Sequence, residues 1–193
     1  MHPRYAPPVT LAAGCGLRQG EAFGLRVSDV DFLRQRLEVR QQVKHPKGQG
    51  TVVAPPKRGK QRSVPLPAAV AEAIAGHLAR YPTERDGLVV TSAAGTPLNR
   101  GSWNARVWKP AVAAAGLETG GLGFHQLRHH YASVLLHGGV SIRALAEYLG
   151  HDDPGFTLRV YSHVMPDSED RARQAVDAAL TVCEPPVSQE QEP

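Results

Sequence analysis

The sequence predicts an α+β fold that is mainly helical, with a small three-stranded antiparallel sheet near its N-terminal part. Three observations lead to this prediction. Short segments between residues 37 and 66 alternate apolar and polar side chains, which is the period of half-buried strands. Longer segments before and after them carry apolar residues at helical spacing. The chain has 193 residues, of which 41% are hydrophobic and 21% charged, as is ordinary for a globular protein.

The first third of the chain is predicted to hold two helices and the sheet. The helices cover residues 4–14 and about 19–24, and a polar turn follows at 27–31. Three predicted strands come next, separated by loops rich in Pro, Gly and basic residues, and they cover residues 37–43, 51–54 and 63–66.

The remainder is predicted to be mostly helical. Pro67 suits the first turn of a helix that runs to about residue 81. Further helices are predicted at 99–115, 125–137, 141–149, 157–163 and 167–181. Ser141 and Asp167 have side chains that suit an N-cap, and Gly150 suits a left-handed C-cap. We expect one domain over residues 1–182 and a disordered tail rich in Pro, Glu and Gln over 183–193.

Charge and composition bound the function. The net charge is +4, and without the last eleven residues 22 basic and 15 acidic side chains remain, a net charge of +7. A basic body favours a polyanionic partner such as nucleic acid, although many basic proteins bind none. No apolar run approaches the length of a membrane helix, and we expect neither a signal peptide nor a membrane partner. The two cysteines fit a reducing, cytoplasmic location.

Three short segments carry side chains with the chemistry of a phosphate site. Arg18 and Glu21 are three residues apart, so the carboxylate could hold the guanidinium, but the pair also fits an ordinary surface ion pair. His125 and Arg128 share one face of a helix, as a phosphate clamp or as a plain basic face. His151 follows the predicted cap at Gly150.

A tyrosine completes the set. Tyr161 stands ten residues after His151 on another predicted helix. Taken alone, a tyrosine in such a helix more often packs in a core or interface with its hydroxyl satisfied.

The segments together resemble the tyrosine recombinase, or phage integrase, family. The matching motifs occur in the family's order and span residues 14–163: Gly-Leu-Arg-x-x-Glu at 16–21, Pro-Lys at 56–57 before Val-Pro-Leu-Pro at 64–67, His-x-Leu-Arg-His at 125–129, Leu-Gly-His at 149–151, and Thr-x-x-x-Tyr-x-His at 157–163. Five motifs in register are far more specific than any one of them.

The resemblance implies the catalytic-domain fold of that family and a set of roles. Tyr161 would be the nucleophile that forms a 3′-phosphotyrosine bond with DNA. Arg18, Arg128, His125 and His151 would stabilise the charged phosphorus centre, with Glu21 supporting Arg18. His125 could also accept the tyrosine proton. The resemblance implies no ATP, metal or other cofactor.

One further role is assigned to the basic hairpin. Lys57 would protonate the 5′ oxygen that leaves. Lys57 is preferred because it follows a proline, as the family pattern has it, but Lys44, Lys47 and Lys60 remain alternatives. His129, His130 and His163 are expected to support or pack around the site. No zinc-binding spacing of His, Glu or Cys occurs in the sequence.

One departure from the family pattern and two rival functions accompany this interpretation. The family's N-terminal domain, which clamps the other face of DNA, is missing, so the chain is either a piece or a short natural protein, and we expect weak, salt-sensitive DNA binding. The rivals are a catalytically silent DNA-binding remnant and a type IB topoisomerase-like activity.

The expected partners are double-stranded DNA and other copies of the chain. The last helix carries Val176 and Leu180, which could dock into a neighbour within a tetramer on DNA or could close this chain's own core. The sequence does not choose between these two uses of the helix.

Overall fold

The structure, a computed structural model, describes residues 1–46, 48, 50–56, 59–118, 120–162 and 169–181. It has the predicted architecture of many helices around a small antiparallel sheet. The helices are α1 (Pro7–Cys15), α2 (Gln19–Gly24), α3 (Ala68–Arg80), α4 (Arg100–Trp103), α5 (Lys109–Ala114), α6 (His125–His137), α7 (Ile142–Leu149), α8 (Pro154–Tyr161) and α9 (Glu169–Thr181). The strands are β1 (Val30–Asp31), β2 (Arg36–Val39), β3 (Gln42–Lys44), β4 (Val52–Ala54) and β5 (Arg62–Pro65).

Helix α1 lies at the centre of the molecule. Prolines at its first two positions need no hydrogen-bond partner for a backbone N–H there, and they start the helix three residues later than predicted, after a short 3-10 turn at Pro3–Tyr5. Leu11, Ala12 and Cys15 are fully buried. The helix packs against α2, α3 and α6, so its C-terminal end lies among the elements that carry the functional side chains.

The strands form two ladders, which differs from the single sheet over 37–66 that the alternation predicted. In the three-stranded sheet, β2 lies between β1 and β5, with Leu37 opposite both Val30 and Val64. Its first strand comes from the end of the segment that was predicted as a turn. Strands β3 and β4 form a separate pair.

The predicted strand 37–43 divides into β2 and β3 because the side chain of Gln41 bonds to the end of α2. Its side-chain amide donates to the carbonyl of Gly24 at the end of α2 (2.6 Å) and accepts from Arg26 Nε (3.1 Å). The chain therefore leaves the first ladder there. It continues as β3, which packs so closely on α2 that a Cβ at Gly24 would stand 2.8 Å from the Cα of Gln42.

An aromatic cluster holds the start of α6. A π-helical segment, Asn104–Trp108, joins α4 to α5 just before Pro110, which has no N–H to donate. Its wider turn brings Trp103 and Trp108, five residues apart, into a stacked pair with centroids 6.0 Å apart. Both rings lie edge-on against Phe124, the residue before His125.

The C-terminal helices agree with the sequence except at their ends. Helix α7 follows the predicted N-cap Ser141 and ends at Gly150, which is left-handed with φ 63°. Helix α8 begins at Pro154 rather than at Thr157, because Asp153 accepts from the backbone N–H of Gly155 and caps an earlier start. Asp167 and the predicted tail lie outside the described residues. No helix in the described part of the chain is long and apolar enough to cross a membrane.

Candidate active site

A cavity of about 470 Å³ opens between α2, β5, α6 and the end of α7. The predicted residues Arg18, Glu21, His125, Arg128 and His151 all lie on its wall. They come from segments as far apart as residues 18 and 151, so the fold brings together what the sequence could only show in order.

Glu21 fixes the position of Arg18 at the N-terminal end of α2. The Glu21 carboxylate accepts from the backbone N–H of Arg18 (2.8 Å) and from its Nη1 (3.0 Å). Glu21 is buried, whereas the Arg18 side chain keeps 34% of its surface exposed. The predicted pairing is therefore present, and the partly exposed guanidinium is left facing the cavity.

Arg62 of β5 is a residue that the sequence interpretation missed. Its guanidinium donates to both carboxylate oxygens of Glu21, at 2.9 and 2.7 Å, and to the carbonyl of Tyr148 (2.7 Å). Burial raises the pKa of Glu21, but the bonds and charges of Arg62 and Arg18 outweigh burial and lower that pKa to about 2. Arg62 thus fixes the carboxylate that fixes Arg18.

Arg128 is almost completely buried, with 1% of its surface exposed. Its Nη1 donates to the carbonyl of Gly16 (2.6 Å), and its Nη2 donates to the carbonyl of Leu149. These carbonyls stand at the ends of α1 and α7, where a helix leaves its last acceptors unpaired. Burial, together with the charges of Arg18 and Arg62, lowers the pKa of Arg128 to about 9, which leaves it a cation at neutral pH.

His151 has a tautomer set by its neighbours. Its Nε2 lies 3.2 Å from Arg128 Nη2, and its Nδ1 lies 2.8 Å from Thr157 Oγ1. An arginine can only donate, so Nε2 accepts and Nδ1 carries the proton, which it donates to the threonine hydroxyl. Burial and the nearby arginines lower the pKa of His151 to about 4, so the ring is neutral at physiological pH.

Tyr161 stands behind the cavity wall rather than on it. Only 3% of its surface is exposed, and its hydroxyl forms a 2.9 Å hydrogen bond with His129 Nδ1. Burial raises the pKa of Tyr161, and the charge of Arg128 opposes that effect.

Two histidines of α6 stand side by side near the tyrosine. The ring of His129 packs edge-on against His125, with centroids 4.7 Å apart. Burial lowers the pKa of His125, and His129 and Arg128 lower it further. The contact of His129 with Tyr161 was not predicted from the sequence, where His129 was expected to support or pack around the site.

The structure does not test the predicted role of the hairpin lysine. Lys57 lies outside the described residues. Its neighbours Pro56 and Lys60 line the cavity, and Lys60 Nζ lies 3.2 Å from Asp152 Oδ1. Among the described residues no three His, Cys, Asp or Glu side chains are grouped as metal ligands.

The arrangement suits an oxyanion such as a phosphate group. Three guanidiniums and two imidazoles line one cavity, and the carboxylate of Glu21 among them is already paired with two of these arginines. Fixed, pre-oriented cations of this kind stabilise charge that develops on a phosphoryl group.

Comparison with known proteins gives a consistent answer. The model of the phage integrase family matches residues 3–167. A tyrosine recombinase XerC-like protein of Caldanaerobacter subterraneus is 29% identical over 188 residues, which are 86% of this chain and 47% of that protein. The XerD tyrosine recombinase of Corynebacterium glutamicum is 34% identical over 164 residues, 83% of this chain and 48% of that protein. The chain thus spans about half the length of these relatives.

Solved structures share the fold. The integrase of transposon Tn1549 in complex with transposon right end DNA has a TM-score of 0.75 at 19% identity, over 92% of this chain and 59% of that one. The catalytic domain of bacteriophage HP1 integrase has a TM-score of 0.58 at 22% identity, over 96% of this chain and 84% of that one.

Proposed function

Since the chain belongs to the phage integrase family, we propose that it cleaves and rejoins DNA strands at specific sites through a covalent 3′-phosphotyrosine intermediate. The observation that carries this proposal is the cavity where Arg18, His125, Arg128 and His151 converge, with Tyr161 bonded to His129, whose ring packs against His125. The Xer relatives and the DNA-bound Tn1549 integrase support the same reaction class.

The arginines would do the electrostatic part of the reaction. A phosphodiester is already an anion, and attack on its phosphorus adds charge to the non-bridging oxygens. Arg128 is locked by two helix-end carbonyls and Arg18 by Glu21, so little reorganisation is needed when that charge develops. His125 and His151, on the same wall, add polar groups at the phosphate.

The covalent step is a transesterification. The Tyr161 oxygen forms a bond to phosphorus, the bond from phosphorus to the 5′ oxygen breaks, and that oxygen takes a proton from Lys57. The phosphotyrosine bond keeps the energy of the phosphodiester, so a 5′ hydroxyl of another strand can reverse the step without ATP. The chemistry proposed here uses no metal ion.

In the described state the nucleophile is withdrawn. The hydroxyl of Tyr161 is buried and bonded to His129. The site must therefore rearrange when DNA binds, so that the hydroxyl becomes accessible to a phosphate in the cavity.

Double-stranded DNA is the proposed substrate, and other copies of the chain are the proposed protein partners. Val176 and Leu180 of α9 are 57% and 67% exposed, which does not support a role in closing this chain's own core. It supports docking of α9 on a neighbouring copy, within a tetramer on DNA. We place the working protein in the cytoplasm, on the nucleoid when it is bound to DNA.

The rival functions are less well supported. A silent DNA-binding remnant would not need three guanidiniums, a carboxylate and a neutral imidazole held by fixed hydrogen bonds around one cavity. A type IB topoisomerase would relax supercoiled DNA without bringing two sites together.

The experiment that tests the proposal is covalent trapping. The chain is mixed, in EDTA, with a library of duplexes that carry a nick. The nick lets the short cleaved end diffuse away and so traps the adduct. The sequence on both sides of the nick is randomised, because the target sequence is not known. A protein–DNA adduct on a denaturing gel, absent with Tyr161→Phe, is expected. Absence of an adduct with the unaltered chain would favour the DNA-binding remnant.

A further inference from the structure

The hydroxyl of Tyr161 already has a partner that can take its proton. It lies 2.9 Å from His129 Nδ1, and the two rings are tilted with centroids 5.5 Å apart. A neutral imidazole with its proton on Nε2 has a lone pair on Nδ1, and a phenol has one proton to give. The contact therefore has the geometry of a base in hydrogen-bond range of the group that it would deprotonate.

We propose that His129 is the general base of strand cleavage, the residue that takes the proton of Tyr161 as its oxygen attacks phosphorus. The inference rests on the proposed function. In the forward step the O–H bond of Tyr161 breaks, its proton moves to His129 Nδ1, and the oxygen's electron pair forms the bond to phosphorus. The bond to the 5′ oxygen breaks, and that oxygen takes its proton from Lys57. In the rejoining step His129 returns the proton to the tyrosine oxygen.

The proton transfer accompanies the attack rather than preceding it. A free imidazole takes up a proton near pH 6.5 and a free phenol loses one near pH 10. Complete transfer before attack would therefore be uphill, whereas the acidity of the phenol rises as its oxygen bonds to phosphorus. The base must therefore stay within hydrogen-bond range of the Tyr161 hydroxyl when that hydroxyl reaches the phosphate, so the proposal requires the pair seen here to be kept in the reactive state.

The other imidazoles of the site are less suited to this role. Both nitrogens of His151 are engaged, Nε2 by Arg128 and Nδ1 by Thr157. His125 lies on the cavity wall, where the phosphate would bind. Among these three described histidines, the structure gives a hydrogen bond to the Tyr161 hydroxyl for His129 only. This differs from the sequence-based expectation that His125 accepts the proton.

The sequence of α6 places the base beside the phosphate clamp. His125, Arg128 and His129 are separated by three and one residues, so one helix presents a cavity-lining imidazole, the buried guanidinium and the base. On α8, Thr157 and Tyr161 are four apart and share a face. The bonds His151–Thr157 and His129–Tyr161 therefore hold α8 at two points on the side that faces the site.

The test compares two DNA substrates. One is the duplex recovered by covalent trapping, and the other is the same duplex with sulfur in place of the bridging 5′ oxygen, whose thiolate leaves without needing a proton. His129→Asn keeps a polar group near the Nδ1 position but cannot take a proton. We expect it to slow adduct formation about 10²- to 10⁴-fold on both substrates, the range of general base catalysis.

Three control variants are needed to interpret the rates of His129→Asn on the two substrates. Lys57→Ala should be slow on the oxygen substrate and recover on the sulfur substrate. His137→Asn, at the exposed C-terminal end of the same helix, should behave as the unaltered chain. Tyr161→Phe should give no adduct on either substrate. Thermal melting of each variant separates a folding defect from a catalytic one.

A measurement on the unaltered chain covers the case in which His129→Asn does not fold. Nitrogen NMR of labelled histidines should show His129 neutral, with its proton on Nε2. A proton on Nδ1 would overturn the proposal. So would a cleavage rate of His129→Asn within about twofold of the unaltered chain, or a faster one, which would make His129 a restraint on Tyr161. If the unaltered chain forms no adduct, the proposed function itself fails, which is a different result.

Discussion

At the scale of single residues, one buried carboxylate organises the site. Glu21 binds Arg18 on one side and Arg62 on the other, and Arg62 reaches on to the carbonyl of Tyr148. Glu21 and Arg62 therefore join the start of α2, strand β5 and the end of α7. Because these are buried charges, the removal of one partner leaves the other uncompensated.

Arg62 can be tested by stability. Arg62→Met removes both bonds to Glu21, and we expect it to lower the free energy of unfolding by about 3–5 kcal/mol, as for a broken buried pair. Arg36→Met, on the exposed face of the neighbouring strand, is the matched control and should cost less than about 0.5 kcal/mol. Urea unfolding measures both. Equal small losses would mean that Arg62 does not hold the site together.

The pKa of Glu21 predicts how stability depends on pH. It is about 2 in the folded chain against an ordinary value of 4.5, so ionised Glu21 stabilises the fold above pH 4.5, and that contribution is lost as the pH falls from 4.5 through 2. Glu21→Gln should lack this loss. In urea unfolding the stability difference between the unaltered chain and Glu21→Gln should shrink across that window. A constant difference would contradict the assigned pKa.

At the scale of elements, helix ends build the site. Gly16 and Gly150 are left-handed and end α1 and α7, and the last carbonyls of these helices accept from Arg128. A Cβ at Gly150 would stand 3.1 Å from Arg62 Cδ, so a larger residue there would require the Arg62 side chain to move by a few tenths of an ångström. The same backbone turns that terminate the helices thus position the phosphate clamp.

The docking of α8 can be tested at Thr157. Thr157→Val keeps the volume but removes the acceptor of His151 Nδ1–H, leaving a donor without its partner, and we expect a loss of about 1–3 kcal/mol in the free energy of unfolding. Thr157→Ser keeps the hydroxyl and loses a methyl group, so it should retain the hydrogen bond. If NMR shows the same His151 tautomer and urea unfolding gives the same stability in both variants, the bond is not what holds α8.

The helices could be predicted from sequence because their signals are local. Ser141 as an N-cap, Gly150 as a C-cap and the apolar spacing of α6 all act within a few residues. The division of the predicted strand 37–43 could not be predicted from the sequence, because it depends on the hydrogen bond from Gln41 to the end of α2. The early start of α8 at Pro154 does have a local sequence signal, because Asp153 suits an N-cap and Pro154 suits the first helical position.

The site could be predicted only in part for the same reason. Motifs placed Arg18, His125, Arg128 and His151, which the structure brings to one cavity. Arg62 acts through partners 41 and 86 residues away, and no local pattern shows such a pairing. His129 lies within a motif, but its contact with Tyr161 spans 32 residues and appears only when α6 and α8 pack.

At the scale of the whole molecule, the net positive charge and the exposed face of α9 bear on what the chain can bind. Its net charge is +4, so attraction to DNA phosphates should weaken as salt rises. Helix α9 exposes Val176 and Leu180, and apolar side chains left in water favour association with another surface.

The proposed association through α9 predicts a specific loss. The double variant Val176→Glu with Leu180→Glu should reduce the number of copies that assemble on DNA, as measured by sedimentation, without lowering the melting temperature. Leu33→Glu, at a site 97% exposed, is the control and should assemble as the unaltered chain does. Unchanged assembly by the double variant would remove α9 from the proposed interface.

The measurement that tests the central claim most directly is the chemical identity of the residue that carries DNA. The adduct trapped in EDTA is digested with protease and nuclease, and the modified peptide is sequenced by mass spectrometry. We expect a nucleotide joined through its 3′ phosphate to Tyr161, and no adduct from Tyr161→Phe. A nucleotide on another residue, or an undiminished adduct with Tyr161→Phe, would contradict Tyr161 as the nucleophile.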